Sequence, residues 1–177
     1  MSRVVVGVDP GGRSTGLVVR TGEELLGWSL EVRQGTGRMP GGAYFRQVVG
    51  RMRKLLVDAG VDPTDQDAYV VGVEAVAYWP ERHAKGKAPR DQRGLYGTAM
   101  VLGAVLLRWP DAVVVDSGRG VATFHPQSYP APIRPPVNGA GKDRLVHVRA
   151  AWDHSHAAET MHLRRVREVP TPGGTPR

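Results

Sequence analysis

The sequence predicts an α/β fold in three layers, with a mixed five-stranded sheet flanked by helices. Three observations predict it. Three strand-like segments are followed by alternating helical and strand patterns. Two nearly identical pentapeptides, Val5-Val6-Gly7-Val8-Asp9 and Val70-Val71-Gly72-Val73-Glu74, are apolar enough to be buried on both faces. The chain has 177 residues, about one domain at the usual ~100–200 residues.

The elements follow in order. Val4 to Val8 is a β-branched run closed by Asp9-Pro10-Gly11-Gly12, a strand with a tight turn after it. Thr15 to Arg20 and Leu25 to Val32, joined at Thr21-Gly22, complete an antiparallel meander. A glycine-rich loop from Gln34 to Gly42 leads into a helix over 43–59, where Tyr44, Phe45, Val48, Val49, Met52, Leu55 and Leu56 recur at helical spacing. Gly60 ends it. Tyr69 to Glu74 is the fourth strand, and 92–108 is a helix rich in small residues, stopped by Trp109-Pro110. Ala112 to Val115 is the fifth strand, ending at Asp116. Five prolines between His125 and Pro136 exclude that segment from a central ladder. A last helical region begins near Lys142, with a break expected near Trp152. The domain is expected to span 1–169, with 170–177 a flexible Pro/Gly-rich tail.

Composition narrows the function. Lys plus Arg number 24 against 17 acids, a formal charge of +7 that favours a polyanionic partner. The absence of cysteine excludes a disulfide scaffold, a thiolate zinc site and a cysteine nucleophile. Apolar runs fall far short of the ~20 residues of a membrane helix, and the N-terminus enters a strand pattern without a cleavable apolar region. A soluble, cytoplasmic protein is expected.

The two pentapeptides carry the chemistry. Each delivers an acid at the C-terminal end of an apolar strand, with a glycine two residues earlier on the acid's face, leaving room beside it. If a right-handed crossover makes the strands parallel neighbours, their ends lie roughly 4.8 Å apart. Asp9 and Glu74 then face one cleft. Carboxylates that close repel, and a shared proton or a divalent cation relieves them; alternatively each acid caps its own strand. Asp116 also ends an apolar strand, but followed by Ser-Gly it reads as a turn cap.

Gly7-Val8-Asp9-Pro10-Gly11-Gly12-Arg13-Ser14-Thr15-Gly16 resembles the first motif of RuvC-type Holliday junction resolvases, Val73-Glu74 resembles their second acid, and Asp153-His154-Ser155-His156-Ala157-Ala158 resembles their C-terminal motif. The resemblance implies a ribonuclease H-like fold and a homodimeric endonuclease that cuts four-way DNA junctions with Mg²⁺ (or Mn²⁺), using two ions and leaving 5′-phosphate and 3′-hydroxyl ends. It implies Asp9, Glu74 and Asp153 as metal ligands and puts His156 where another acid usually stands. Imidazole suits Mn²⁺ better than Mg²⁺, or serves as a base.

Five basic residues stand against two acids between Glu81 and Arg93, directly after Glu74. Arg82, Lys85, Lys87 and Arg90 are candidate phosphate contacts, with Arg13 and Lys142 as clamps. Tyr78 and Trp79 could stack on unpaired bases, or Trp79 could pack under its own loop. Paired incision and the small-residue helix suggest a dimer. Alternatives are a YqgF-like RNA-processing nuclease, a catalytically impaired junction-binding module and an actin-like kinase, the last requiring two such domains where the length supplies one.

Overall fold

The computed structural model describes residues 3–35, 39–76, 92–116, 126–136 and 144–168. Within them the strands are β1 (Val4–Asp9), β2 (Ser14–Thr21), β3 (Glu24–Val32), β4 (Tyr69–Glu74) and β5 (Val113–Val115), and the helices are α1 (Gly42–Asp58), α2 (Gln92–Arg108) and α3 (Val146–Glu168). The sheet order is β3-β2-β1-β4-β5. The meander pairs antiparallel, while β1 pairs parallel with β4 and β4 with β5. The mixed five-stranded sheet expected from the sequence is therefore present.

Alternation along the central strands divides two cores. Val6, Val8, Leu17, Val19, Tyr69, Val71 and Val73 face α1 and α2, where Tyr44, Val48, Met52, Leu56, Val101 and Val105 close over them. Fully burying one such aliphatic side chain stabilises the fold by roughly 1.5–3 kcal/mol. On the other side Val5, Val70, Val113, Val115 and Val18 meet α3 through Ala151, Trp152 and Ala158. Helix α1 stops where Gly60 adopts φ +75°, a left-handed conformation that costs glycine nothing sterically.

Helix α3 lies unusually close to the sheet because its track is paved with glycine. A Cβ on Gly7 would strike the Ala151 carbonyl and Ser155, one on Gly16 the His147 carbonyl, and one on Gly72 the Ala158 side chain. This corrects the expectation of open room beside the two acids: the space left by the missing side chains is filled by α3, by its backbone at Gly7 and by the Ala158 side chain at Gly72. A second correction concerns the break expected near Trp152. The helix starts at Val146 and runs through Trp152 without interruption, because that indole is buried against Val18, Tyr129, Ile133 and Val148 and packing holds the helix on both sides of it. The proline-rich stretch at 126–136 forms two 3-10 turns, Pro126–Ser128 and Ala131–Ile133. They lie over α3, with Tyr129 and Ile133 in the core beside Trp152.

Candidate active site

Val8 of β1 is the register partner of Val73 of β4, so the next residues, Asp9 and Glu74, end adjacent parallel strands about 4.8 Å apart. Both share the face of Gly7 and Gly72, the face that α3 covers. The turn after Asp9 is held from the opposite side. Thr15 Oγ1 lies 2.9 Å from the buried Tyr44 hydroxyl, which donates to the Gly11 carbonyl at 3.3 Å. Gly12 packs against Gly97 of α2. The backbone carrying Asp9 is thus anchored to both α1 and α2.

Two histidines of α3 complete the cluster. Residues His147, Ala151, His154 and Ala158 recur at helical spacing along the sheet-facing side. His147 Nδ1 lies 2.7 Å from Asp9 Oδ2, and this hydrogen bond raises the imidazole pKa against the opposing effect of burial. His154 Nε2 is 3.9 Å from Glu74 Oε1, too long for a hydrogen bond. Burial lowers the pKa of His154, opposed by the Asp9 charge. Its Nδ1 is buried and has no hydrogen-bond partner among the described residues. His154 therefore presents Nε2 toward Glu74 while its Nδ1 is left unengaged among the described residues.

Asp153 and His156 do not join this cluster. At ~3.6 residues per turn, Asp153 is about 200° around the helix from both Ala151 and Ser155, which meet Gly7. It is turned toward residues 126–136, where both of its oxygens accept from the Tyr129 hydroxyl at 2.9 and 3.1 Å. His156 points to the β2–β3 turn, at the opposite end of β1 from Asp9. There its Nδ1 is 3.8 Å from Glu23 and its ring lies 4.9 Å from that of Trp152. Arg13 is exposed in the turn after Asp9. Tyr78, Trp79, Arg82, Lys85, Lys87, Arg90 and Lys142 lie outside the described residues, as does the expected tail at 170–177. His147 was missed because nothing in its neighbourhood resembles the C-terminal motif. A helical projection from Asp153-His154 backwards would have put it on the side of His154.

No family model matches the sequence, and no curated protein matches it. Among solved structures, Thermus thermophilus RuvC in complex with a Holliday junction substrate superposes with a TM-score of 0.54 over 90% of this chain and 96% of that one, at 17% identity. The chain has the RuvC fold. A second structure of Thermus thermophilus RuvC gives a TM-score of 0.46 at 18% identity, covering 93% of this chain and 96% of that one. The ribonuclease H-like architecture implied by the Asp-Pro-Gly motif is thus present, with Asp9 and Glu74 at the C-terminal ends of its two central parallel strands. No helix among the described residues is long and apolar enough to cross a membrane.

The resemblance of the Asp9 motif implies a divalent metal, and the donors near Asp9 suit one in kind. Two carboxylates supply hard oxygens for Mg²⁺ or Mn²⁺, and an imidazole, where unprotonated, adds a nitrogen that Mn²⁺ accepts. Among the described residues no three His, Asp or Glu side chains are drawn together as a complete metal cage. Mg²⁺ does not require one, since it commonly takes one or two carboxylates and fills its remaining positions with water and phosphate oxygens.

Proposed function

We propose that this protein is a metal-dependent, structure-selective endonuclease that resolves four-way or branched DNA junctions by paired phosphodiester hydrolysis, leaving 5′-phosphate and 3′-hydroxyl ends. The observation that carries the reading is the placement of Asp9 and Glu74 side by side under α3, at the ends of adjacent parallel strands. The net charge of +7 and the fold shared with a resolvase solved on its junction support a branched polyanionic substrate.

Asp9 and Glu74 would hold the metal, with His154, 3.9 Å from Glu74, as a nitrogen donor not already bonded to either acid. A divalent ion bound there supplies Lewis-acid charge at the scissile phosphate. Asp9 is buried and Glu74 only partly exposed, which strengthens electrostatic interactions between them. His147, 42% exposed, holds a proton against Asp9 at the open edge and is placed to exchange it with solvent or substrate. Arg13, exposed on the same turn, is a phosphate contact in this reading, together with Arg82, Lys85, Lys87, Arg90 and Lys142. Tyr78 and Trp79 are proposed stacking residues.

Paired incision calls for two active sites, and α2 offers a surface for pairing. Tyr96, Met100 and Leu107 are exposed along it, and Gly103 between them faces open space. These positions follow i, i+4, i+7, i+11, a single stripe. A homodimer paired through α2 places one Asp9–Glu74 centre on each subunit.

The test is cleavage of a synthetic four-way junction, with Mg²⁺ and Mn²⁺ in separate reactions and the products mapped on all four strands. Wild-type protein is expected to make symmetric nicks. Asp9→Asn and Glu74→Gln are expected to bind the junction without cutting it. Cleavage by either variant at the wild-type rate would overturn the assignment, and faster cleavage of folded RNA would move it to RNA processing.

A further inference from the structure

Arg20 of β2 is completely buried, and a guanidinium in that position needs nearly all its donors satisfied. Its partners come from α3 and from its own turn. Nε donates to Ser155 Oγ at 2.6 Å, and one terminal nitrogen donates to the Ser155 carbonyl at 3.0 Å and to Glu159 Oε2 at 2.8 Å. The other terminal nitrogen donates to the Gly22 carbonyl. Ser155 Oγ in turn donates to the Trp152 carbonyl at 2.6 Å, and the guanidinium lies 5.9 Å from the Trp152 ring centroid.

The geometry of the helix track makes this fork consequential. Helix packing normally fixes axial position by seating side-chain ridges in grooves. Under α3 the contacts at Gly7 and Gly16 are chiefly with helix carbonyls, and the contact at Gly72 is with the small Ala158 side chain and the His154 carbonyl. The track itself is smooth, so contacts beside it, the apolar packing of Val148, Trp152 and Ala158 and the hydrogen bonds of Arg20, hold α3 against sliding and rolling. The planar guanidinium grips residues 155 and 159, one turn apart, so it constrains both movements. Ser155 is the neighbour of His154 and lies about 12 Å along the axis from His147, at ~1.5 Å per residue.

We propose that Arg20 is a positioning residue for the Asp9–Glu74 centre: by gripping Ser155 and Glu159 it sets the axial and rotational position of α3, and so brings His147 and His154 onto the two carboxylates. The proposal rests on the reading of that centre as the reactive one. A slip by one residue would move the imidazoles ~1.5 Å along the axis and ~100° around it, removing both from their partners.

The experiment has one arm that needs neither metal nor DNA. In ¹⁵N-labelled protein the His147–Asp9 hydrogen bond is read as a protected downfield imidazole N–H, assigned by its disappearance in His147→Asn. Arg20→Met, which keeps side-chain bulk and loses the fork, is expected to abolish that signal. Glu159→Gln, which retains an acceptor oxygen, is expected to keep it. In the second arm, Arg20→Met lowers the turnover of a bound junction by about a hundredfold, the scale of an ångström-level misplacement, with junction affinity unchanged. A wild-type signal and wild-type turnover in Arg20→Met would overturn the proposal. If that variant does not fold, Glu159→Met serves in its place, since the Glu159 side chain is 26% exposed; an unaltered His147 signal there would also overturn it. Loss of the signal in Arg20→Met, in a wild-type protein that cuts nothing, would uphold the positioning role and sink the nuclease reading.

Discussion

His156 makes a sharp prediction about acid stability. Its side chain is 18% exposed, packed on Trp152 and beside the buried Arg20, and burial followed by the Arg20 charge pushes its pKa from 6.5 down to about 4. Glu23, 3.8 Å away, favours protonation, but it is largely exposed and solvent screens it. Below pH 6.5 the unfolded chain takes up a proton at this position that the folded chain refuses. The unfolded state binds more protons, so stability is full above about pH 6.5 and falls as the pH drops toward 4. The loss is about 1.4 kcal/mol per pH unit through most of that window and about 3 kcal/mol at pH 4. His156→Phe keeps a ring against Trp152 and has no proton to gain. Urea denaturation of both proteins from pH 8 to 4 measures the difference, with the carboxylates common to both cancelling. The stability of the variant relative to wild type should climb by about 3 kcal/mol across the range. Parallel curves would show that the imidazole titrates alike in the folded and unfolded chains and would refute the reasoning. Junction cleavage at pH 8 should survive the substitution, since His156 lies at the far end of β1 from Asp9.

Other outcomes follow from the same geometry. Gly7→Val drives a side chain into the Ala151 carbonyl and Ser155. It should lower stability by about 3 kcal/mol, the upper range for overpacking, and displace α3, read as a fall in melting temperature together with loss of the His147 imidazole signal. Tyr129→Phe removes the hydroxyl that both Asp153 oxygens accept. Chemical denaturation should register a loss of about 1–3 kcal/mol for the weakened satisfaction of a buried carboxylate, while metal-dependent cleavage persists; abolished cleavage in this variant would return Asp153 to the reactive set. Met100→Glu combined with Leu107→Glu places charges on the exposed stripe of α2. Sedimentation should then report a monomer, and paired nicking should become single nicking.

Much of the architecture could be read from residue pattern because its signals are local and strong. The β-branched runs at 4–8 and 69–73 form the two central strands, and the apolar spacing of Tyr44, Val48, Met52 and Leu56 forms the buried stripe of α1. The final helix was harder. A proline-rich stretch precedes it and a polar Asp-His-Ser-His run lies within it, so its start and its continuity through Trp152 depended on packing against Val18 and Tyr129. The expected room beside Gly7 and Gly72 went to α3, to its backbone at Gly7 and to the Ala158 side chain at Gly72, since an absent side chain admits any neighbour that arrives there.

By itself the sequence determined that two acids would end two buried strands and that a helix between those strands could make them parallel neighbours, since strand burial and crossover handedness are properties of short segments. Tertiary structure decided which residues of α3 would meet those acids. Asp153, His154 and His156 lie within four residues, and adjacent helical residues diverge by ~100°; which of them faces the sheet depends on the roll of the helix, set by distant partners such as Gly7, Gly72 and Arg20. That roll puts His147 and His154 beside Asp9 and Glu74, turns Asp153 to Tyr129, and carries His156 to Glu23.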